Sequence, residues 1–205
     1  MEIACLDLEG VLVPEIWIKF SEKTGIPELR LTTRDIPDYD QLMTMRLGIL
    51  AKHGLGLKEI QEVIATLSPL EGAKDFIDWL RARFQVVILS DTFYEFAGPL
   101  MAQLGYPTLL CHKLTVDDKG MVVGYNLRQA NPKRQAICAF KTLYYRTIAV
   151  GDSYNDTTML AEADVGILFH APQNVIEQFP QFPAVHTYED LKQEFLKSSL
   201  RNLAP

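Results

Sequence analysis

Residues 3–10 read Ile3-Ala4-Cys5-Leu6-Asp7-Leu8-Glu9-Gly10, an apolar run that ends in one acid, meets a second acid two residues later and then a glycine. The apolar run is long enough for a buried strand and too short for a typical helix. A strand that delivers a carboxylate to its C-terminal end, with a glycine turning the chain just beyond, puts charge where open α/β sheets hold their ligands. Acidic turn residues after a strand are common in soluble proteins, so the meaning of Asp7 and Glu9 depends on what accompanies them downstream.

Moving outward, further short β-rich runs lie at residues 86–89, 147–150, 165–169 and 184–186. Between them are amphipathic segments such as 72–84, with Phe76, Leu80 and Phe84 at fourfold spacing, and 132–145, with Ile137, Phe140 and Tyr144. Strands alternating with helices predict an α/β fold, a doubly wound, mostly parallel sheet covered on both faces and joined by right-handed crossovers. Two stretches break the alternation. Residues 14–69 show helical patterns without a strand: Trp17, Phe20 and Thr24, then Leu42, Arg46, Leu47 and Leu50, then Ile60, Val63, Ile64 and Leu67. This is several times longer than one crossover needs. We expect a helical cap domain at 14–69, inserted into a core domain made of residues 1–13 and 70–205. At 113–125, two β-rich runs flank Asp117-Asp118-Lys119-Gly120, which predicts a β-hairpin.

Composition narrows the function classes. A chain of 205 residues that is 48% hydrophobic can bury one core with a small insertion. Its net charge of -6 and scattered basic residues argue against a nucleic-acid-binding surface. No apolar stretch approaches the roughly 18 residues of a membrane span, and with no basic segment leading into an apolar one a cytoplasmic location is expected. Cys5, Cys111 and Cys138 show no paired spacing and are expected as buried free thiols. His53, His112, His170 and His186 have no second ligand at helical spacing and are assigned structural or surface roles.

Four motifs line up at strand ends or helix starts. Asp7-Leu8-Glu9-Gly10 is the first. Ser90-Asp91-Thr92 follows the next strand, where a hydroxyl and neighbouring backbone N–H groups suit an anion. Asn131-Pro132-Lys133-Arg134 opens a helix and points a cation at the same region. Gly151-Asp152-Ser153-Tyr154-Asn155-Asp156 places two acids four residues apart after a strand. Together they supply a nucleophile, an acid or base, an anion donor, a cation and metal-binding carboxylates.

This ordered set resembles the four motifs of the haloacid-dehalogenase-type phosphatase superfamily. Tyr39-Asp40-Gln41, Arg46-Leu47-Gly48-Ile49-Leu50 and Leu67-Ser68-Pro69-Leu70-Glu71-Gly72-Ala73 are further similar to the cap and cap-exit segments of phosphoserine phosphatases. The resemblance implies that Asp7 is the nucleophile, forming an aspartyl phosphate, and that Glu9 is the acid and base. It implies Mg²⁺ held by Asp7, the backbone carbonyl of Glu9 and Asp152, with Asp156 orienting Lys133 or water from behind. Ser90, Asp91 through its backbone, and Lys133 would hold the phosphoryl oxygens. Glu15, Arg46 and Asn155 would recognise the substrate, the first two as partners for an ammonium and a carboxylate.

Two positions depart from the usual pattern: Glu9 stands where most of these phosphatases have Asp, and Asp91 where related phosphoserine phosphatases have Gly. Beside a phosphate site the Asp91 side chain is expected to point away. The glutamate variant is similar to the bifunctional type that also transfers phosphate from phosphoserine to homoserine, so both are expected as small-molecule partners. The apolar residues of the tail leave packing on the core or a homodimer open. Two rivals fit less well. A receiver-type signalling module needs no inserted cap, and a non-catalytic phospho-ligand binder would have lost Asp7.

Overall fold

The computed structural model describes residues 1–32, 35–36 and 38–202. Its strands are β1 (Glu2–Leu6), β2 (Gln85–Phe93), β3 (Thr108–Val116), β4 (Val122–Asn126), β5 (Arg146–Gly151), β6 (Val165–Phe169) and β7 (Ala184–Val185). They form one sheet in the order β4-β3-β2-β1-β5-β6-β7. Every neighbouring pair is parallel except β3 with β4. The helices are α1 (Ile16–Thr24), α2 (Tyr39–Lys52), α3 (Leu57–Ile64), α4 (Ala73–Arg81), α5 (Tyr94–Gln103), α6 (Pro132–Thr142), α7 (Thr157–Glu162), α8 (Gln173–Gln178) and α9 (Tyr188–Ser198).

The continuous apolar character of the central strands follows from burial on both faces. Side chains alternate along each strand, and the alternation divides two apolar cores. Ala4, Leu6, Ile88, Ile148, Val150, Ile167 and Phe169 face one core, shared with α4, α5 and α9. Ile3, Cys5, Val87, Leu89, Ala149 and Leu168 face the other, shared with α6 and α7. β1 lies between β2 and β5, from which the chain winds outward in both directions, so its C-terminal end is the topological switch point.

The hairpin exists, with Lys113 opposite Asn126 and Leu114 opposite Tyr125, but it is not a separate ornament. β3 begins at Thr108 and its first half runs parallel to β2, so one strand changes partner midway, a feature its local composition does not reveal. β2 also continues through Ser90, Asp91 and Thr92, with a register irregularity against β3 between Leu89 and Phe93. Such an irregularity re-aims side chains near sites. Tyr144 is not on the apolar face of α6: the helix stops at Thr142 and Tyr144 is 93% exposed in a left-handed turn. Cys138 is half-buried, whereas Cys5 and Cys111 are buried free thiols.

The insertion between β1 and α4 is helical, comprising α1, a 3₁₀ turn at Pro27–Arg30, α2 and α3. Phe20, Leu50, Ile60 and Ile64 from it join the same core as Leu6, Phe93 and Phe96. Its outgoing and returning connections are tied together where Leu70 N–H donates to the Leu12 carbonyl at 2.9 Å. Among the described residues no helix is long and apolar enough to cross a membrane.

The C-terminal segment packs on its own core. Leu191 and Phe195 of α9 are buried, and the Phe195 ring lies 6.1 Å from that of Phe76 and 5.4 Å from that of Phe84. The buried Glu2 carboxylate accepts from Ser199 Oγ, the Leu200 N–H and Arg201 Nε, clasping the chain end to the start of β1. Tyr188 stacks on Phe76 at 5.1 Å, and its hydroxyl donates to the Val11 carbonyl at 2.7 Å, in the turn that leads from β1 into the helical insertion. Replacing Tyr188 by Phe removes this one bond and keeps the ring. We expect a loss of about 1 kcal/mol, or roughly 2–4 °C in melting temperature for a chain of this size, measured by thermal denaturation. An unchanged midpoint would show that the turn is held without it.

Candidate active site

Asp7 follows β1 directly, and its N–H donates to the Val150 carbonyl at 2.9 Å, extending the parallel pairing with β5 by one residue. The pairing delivers its carboxylate to the sheet's C-terminal edge. Asp7 Oδ1 accepts the Leu8 N–H at 2.7 Å and lies 3.0 Å from Lys133 Nζ. The first turn of α6 carries that lysine, with Pro132 at the helix start. Lys133 is 5% exposed and also reaches Asp156 Oδ1 at 2.8 Å and Asp91 Oδ2 at 3.4 Å. Burial alone would disfavour its charge; the Asp156, Asp7 and Asp91 carboxylates outweigh that and hold its pKa well above the ordinary lysine value.

Asp156 is fully buried, and both its oxygens are engaged. Oδ1 takes Lys133, while Oδ2 accepts the Asp152 and Ser153 N–H groups at 3.0 and 3.1 Å and Ser153 Oγ at 3.2 Å. Gly151 makes room for it, because a Cβ there would stand 2.3 Å from Asp156 Cβ. Gly10 does the same for Asp152: it has φ +77, and a Cβ would stand 2.5 Å from the Asp152 carboxylate carbon. Asp7, Asp152 and Asp156 thus offer carboxylate oxygens within 4.8 Å of one another.

Burial raises the Asp7 pKa well above the ordinary value, and the Asp156, Asp152 and Asp91 carboxylates push the same way against Lys133. A divalent cation among these oxygens would favour the ionised form, and an all-oxygen donor set suits a hard cation. Both Asp156 oxygens are already engaged by protein donors, which makes Asp156 the least suited of the three to hold a cation directly.

Glu9 is half-buried, and its Oε2 accepts the N–H of Ile16, the first residue of α1, at 2.9 Å. Burial, then the neighbouring Glu15 carboxylate, push its pKa up to about 8, with the Ile16 N–H and Thr92 pulling the other way. Ser90 is buried, and its Oγ accepts the Thr92 N–H at 3.2 Å.

A cavity of about 590 Å³ opens over these groups and is lined by Asp7, Glu9, Ser90, Asp91, Lys133, Asp152 and Asn155, together with Glu15, Trp17, Tyr39 and Arg46 from the insertion. Arg46 is 6% exposed. Its guanidinium lies 4.3 Å from the centre of the Trp17 ring, donates to the Leu31 carbonyl at 2.8 Å and keeps a buried Nε with no protein partner. Burial lowers its pKa to about 10, against the raising effect of Tyr39, Glu9 and Glu15. Among the described residues no carboxylate forms an ion pair with Arg46, so its charge is available to an acidic ligand group.

The structure therefore brings together all ten residues singled out in the sequence: Asp7, Glu9, Glu15, Arg46, Ser90, Asp91, Lys133, Asp152, Asn155 and Asp156. One orientation differs from expectation. Asp91 does not point away: its carboxylate turns toward Lys133 and lies 3.6 Å from His112 Nε2 on its other oxygen. Burial alone would raise its pKa, but Lys133 first and then His112 bring it down to about 2. His112, assigned a structural or surface role from its isolation in sequence, is buried beside the site. It reaches Asp91 only through the β2–β3 pairing, of which sequence spacing carries no trace.

Residues 1–164 match the haloacid dehalogenase-like hydrolase family. The chain is 76% identical over 204 residues to the phosphoserine phosphatase ThrH of Pseudomonas aeruginosa, covering 100% of both chains. It is 72% identical over 203 residues to a phosphoserine phosphatase of Pseudomonas syringae pv. tomato, covering 99% of this chain and 86% of that one. In fold it is similar to a crystal structure of an apo phosphoserine phosphatase, with a TM-score of 0.75 at 21% identity over 96% of this chain and 98% of the other. A phospho-aspartyl intermediate analogue of a phosphoserine phosphatase matches with a TM-score of 0.74 at 18% identity, over 94% and 98%. This chain belongs to the haloacid dehalogenase-like hydrolase family and, within it, to the phosphoserine phosphatase family.

Proposed function

We propose that this protein hydrolyses phosphoserine through an aspartyl phosphate on Asp7, uses Mg²⁺, and passes the phosphoryl group to homoserine as well as to water. One observation carries the reading. Asp7 meets Lys133 within the acidic cluster, and the cavity over them is also lined by Glu15 and by a buried Arg46 that forms no ion pair with a carboxylate among the described residues.

The chain's own residues account for each step. An Asp7 oxygen attacks phosphorus as the bond to the serine oxygen breaks, and Glu9, protonated at neutral pH by its burial and by Glu15, gives its proton to the departing oxygen. The Glu9 carboxylate then takes a proton from water, or from the homoserine hydroxyl, as that oxygen attacks phosphorus and releases Asp7. Ser90 and Lys133 hold the phosphoryl oxygens throughout, and Asp156 keeps the Lys133 ammonium in place. Mg²⁺ held by Asp7, Asp152 and the Glu9 carbonyl would supply the positive charge that lets an anionic nucleophile approach an anionic phosphate. From the insertion, Arg46 pairs with the substrate carboxylate and Glu15 with its ammonium, and Asn155 borders the same space. Buried free thiols at Cys5 and Cys111 suit a reducing compartment, in keeping with a cytoplasmic location.

Incubation with phosphoserine and Mg²⁺, with and without homoserine, should yield free phosphate in both cases and O-phosphohomoserine in the second, with both products lost on chelation. Absence of phosphohomoserine would leave a phosphatase alone. Glu9→Gln should slow phosphoenzyme formation and breakdown together, lowering turnover by roughly 10²–10⁴-fold; unaltered turnover would remove Glu9 from proton transfer. Arg46→Lys keeps the charge and loses the planar fork. The Michaelis constant for phosphoserine should rise about tenfold, while that for a small phosphate ester without the amino-acid head stays put. Equal effects on both substrates would exclude a recognition role.

A further inference from the structure

The Asp91 carboxylate is an anion beside an anion-binding site, and its geometry shows how its charge is managed. Oδ2 lies 3.4 Å from Lys133 Nζ, and Oδ1 lies 3.6 Å from His112 Nε2. At that distance the histidine contact is electrostatic rather than a formed hydrogen bond. Its polarity is nevertheless fixed. His112 Nδ1 accepts the Arg128 N–H at 3.0 Å, so in the neutral ring the proton sits on Nε2, aimed at Asp91. The ring is only 3% exposed and is braced by Phe93, 6.3 Å away between ring centres. A buried donor of fixed direction therefore competes with Lys133 for the same carboxylate.

We propose that His112 is a positioning residue for phosphate binding: by drawing Asp91 toward itself, it keeps the Lys133 ammonium available to the phosphoryl group. Lys133 is already flanked by Asp7 and Asp156. A third carboxylate closing on it would satisfy the ammonium fully and repel an incoming phosphate. The inference rests on the assignment of Lys133 to the phosphoryl oxygens in the proposed function, and it gives a role to the Asp91 carboxylate beside that lysine.

Two conservative variants separate this role from packing. Asn at position 112 can place an acceptor near the Nδ1 position, preserving the Arg128 contact without the donor toward Asp91. Gln can place a donor near the Nε2 position. Calorimetric titration of each holoenzyme with inorganic phosphate in Mg²⁺ should show H112N weakened about tenfold (~1.4 kcal/mol) and H112Q close to the parent. The Michaelis constant for phosphoserine should follow the same order, with kcat changing less. D91N, which leaves the histidine intact, should bind phosphate more tightly because the competitor for Lys133 has lost its charge, and in that background H112N should have no further effect. The proposal is overturned if H112N binds phosphate like the parent, if H112Q is as weak as H112N, or if D91N binds phosphate no more tightly. Phosphate affinity does not depend on which ester is the substrate. A parent enzyme that binds phosphate but leaves phosphoserine intact would refute the substrate assignment and leave this test standing.

Discussion

The Lys133 ammonium, buried among Asp7, Asp91 and Asp156, is the constraint around which the site is organised. Taking an ion out of water costs several kcal/mol, and only close, well-directed counter-charges offset that. Those counter-charges come from β1, β2 and the turn after β5, while the lysine comes from α6, so the cluster forms only when the central strands are in register. Asp156 is the fixed member, with both oxygens saturated. Asp7 is the costly one: burial and the neighbouring carboxylates disfavour its ionised form, which a metal cation among the same oxygens would favour.

Close approach of backbone and carboxylate makes the arrangement dense. Gly10 and Gly151 are the two points where a side chain would occupy space taken by Asp152 and Asp156. At Gly10 the left-handed backbone adds a second reason for glycine. The same turn is held from outside: Tyr188 binds the Val11 carbonyl and Leu70 binds that of Leu12. The C-terminal helix and the return connection of the helical insertion thus brace the segment that carries Glu9.

How much of this could be read from the chain alone follows from how local each signal is. Asp7, Lys133 and Asp152 stand at strand ends or a helix start, and apolar runs together with Pro132, Gly10 and Gly151 mark those boundaries; Ser90 closes an apolar run in the sequence, although β2 continues past it to Phe93. The central β-α alternation was legible for the same reason, and so was the helical insertion, whose length no single crossover explains. Arg46 lies in register with Leu42 and Leu50, but an arginine in an amphipathic helix is ordinarily a surface charge, so it was the resemblance that singled it out; its seat over Trp17 depends on how α2 meets α1. The first half of β3, the direction of Asp91 and the place of His112 were not legible. All three depend on one strand pairing with β2 in its first half and with β4 in its second, and composition carries no record of partners.

Glu9 connects the chemistry to the helical insertion in a way that its side-chain length explains. Its carboxylate reaches from the turn after β1 to the first N–H of α1, one of the helix-end donors that lack a partner within the helix. Removing one methylene would withdraw the carboxylate by about 1.5 Å, more than a 2.9 Å hydrogen bond tolerates without a shift of the backbone. The longer side chain therefore ties the Glu9 carboxylate to the insertion's first helix, and Glu15, the residue before that helix, raises the Glu9 pKa. A displacement of α1 relative to the sheet would alter both the hydrogen bond and the charge felt by Glu9. The charge state of the Glu9 carboxylate is thereby tied to the position of α1 beside the cavity.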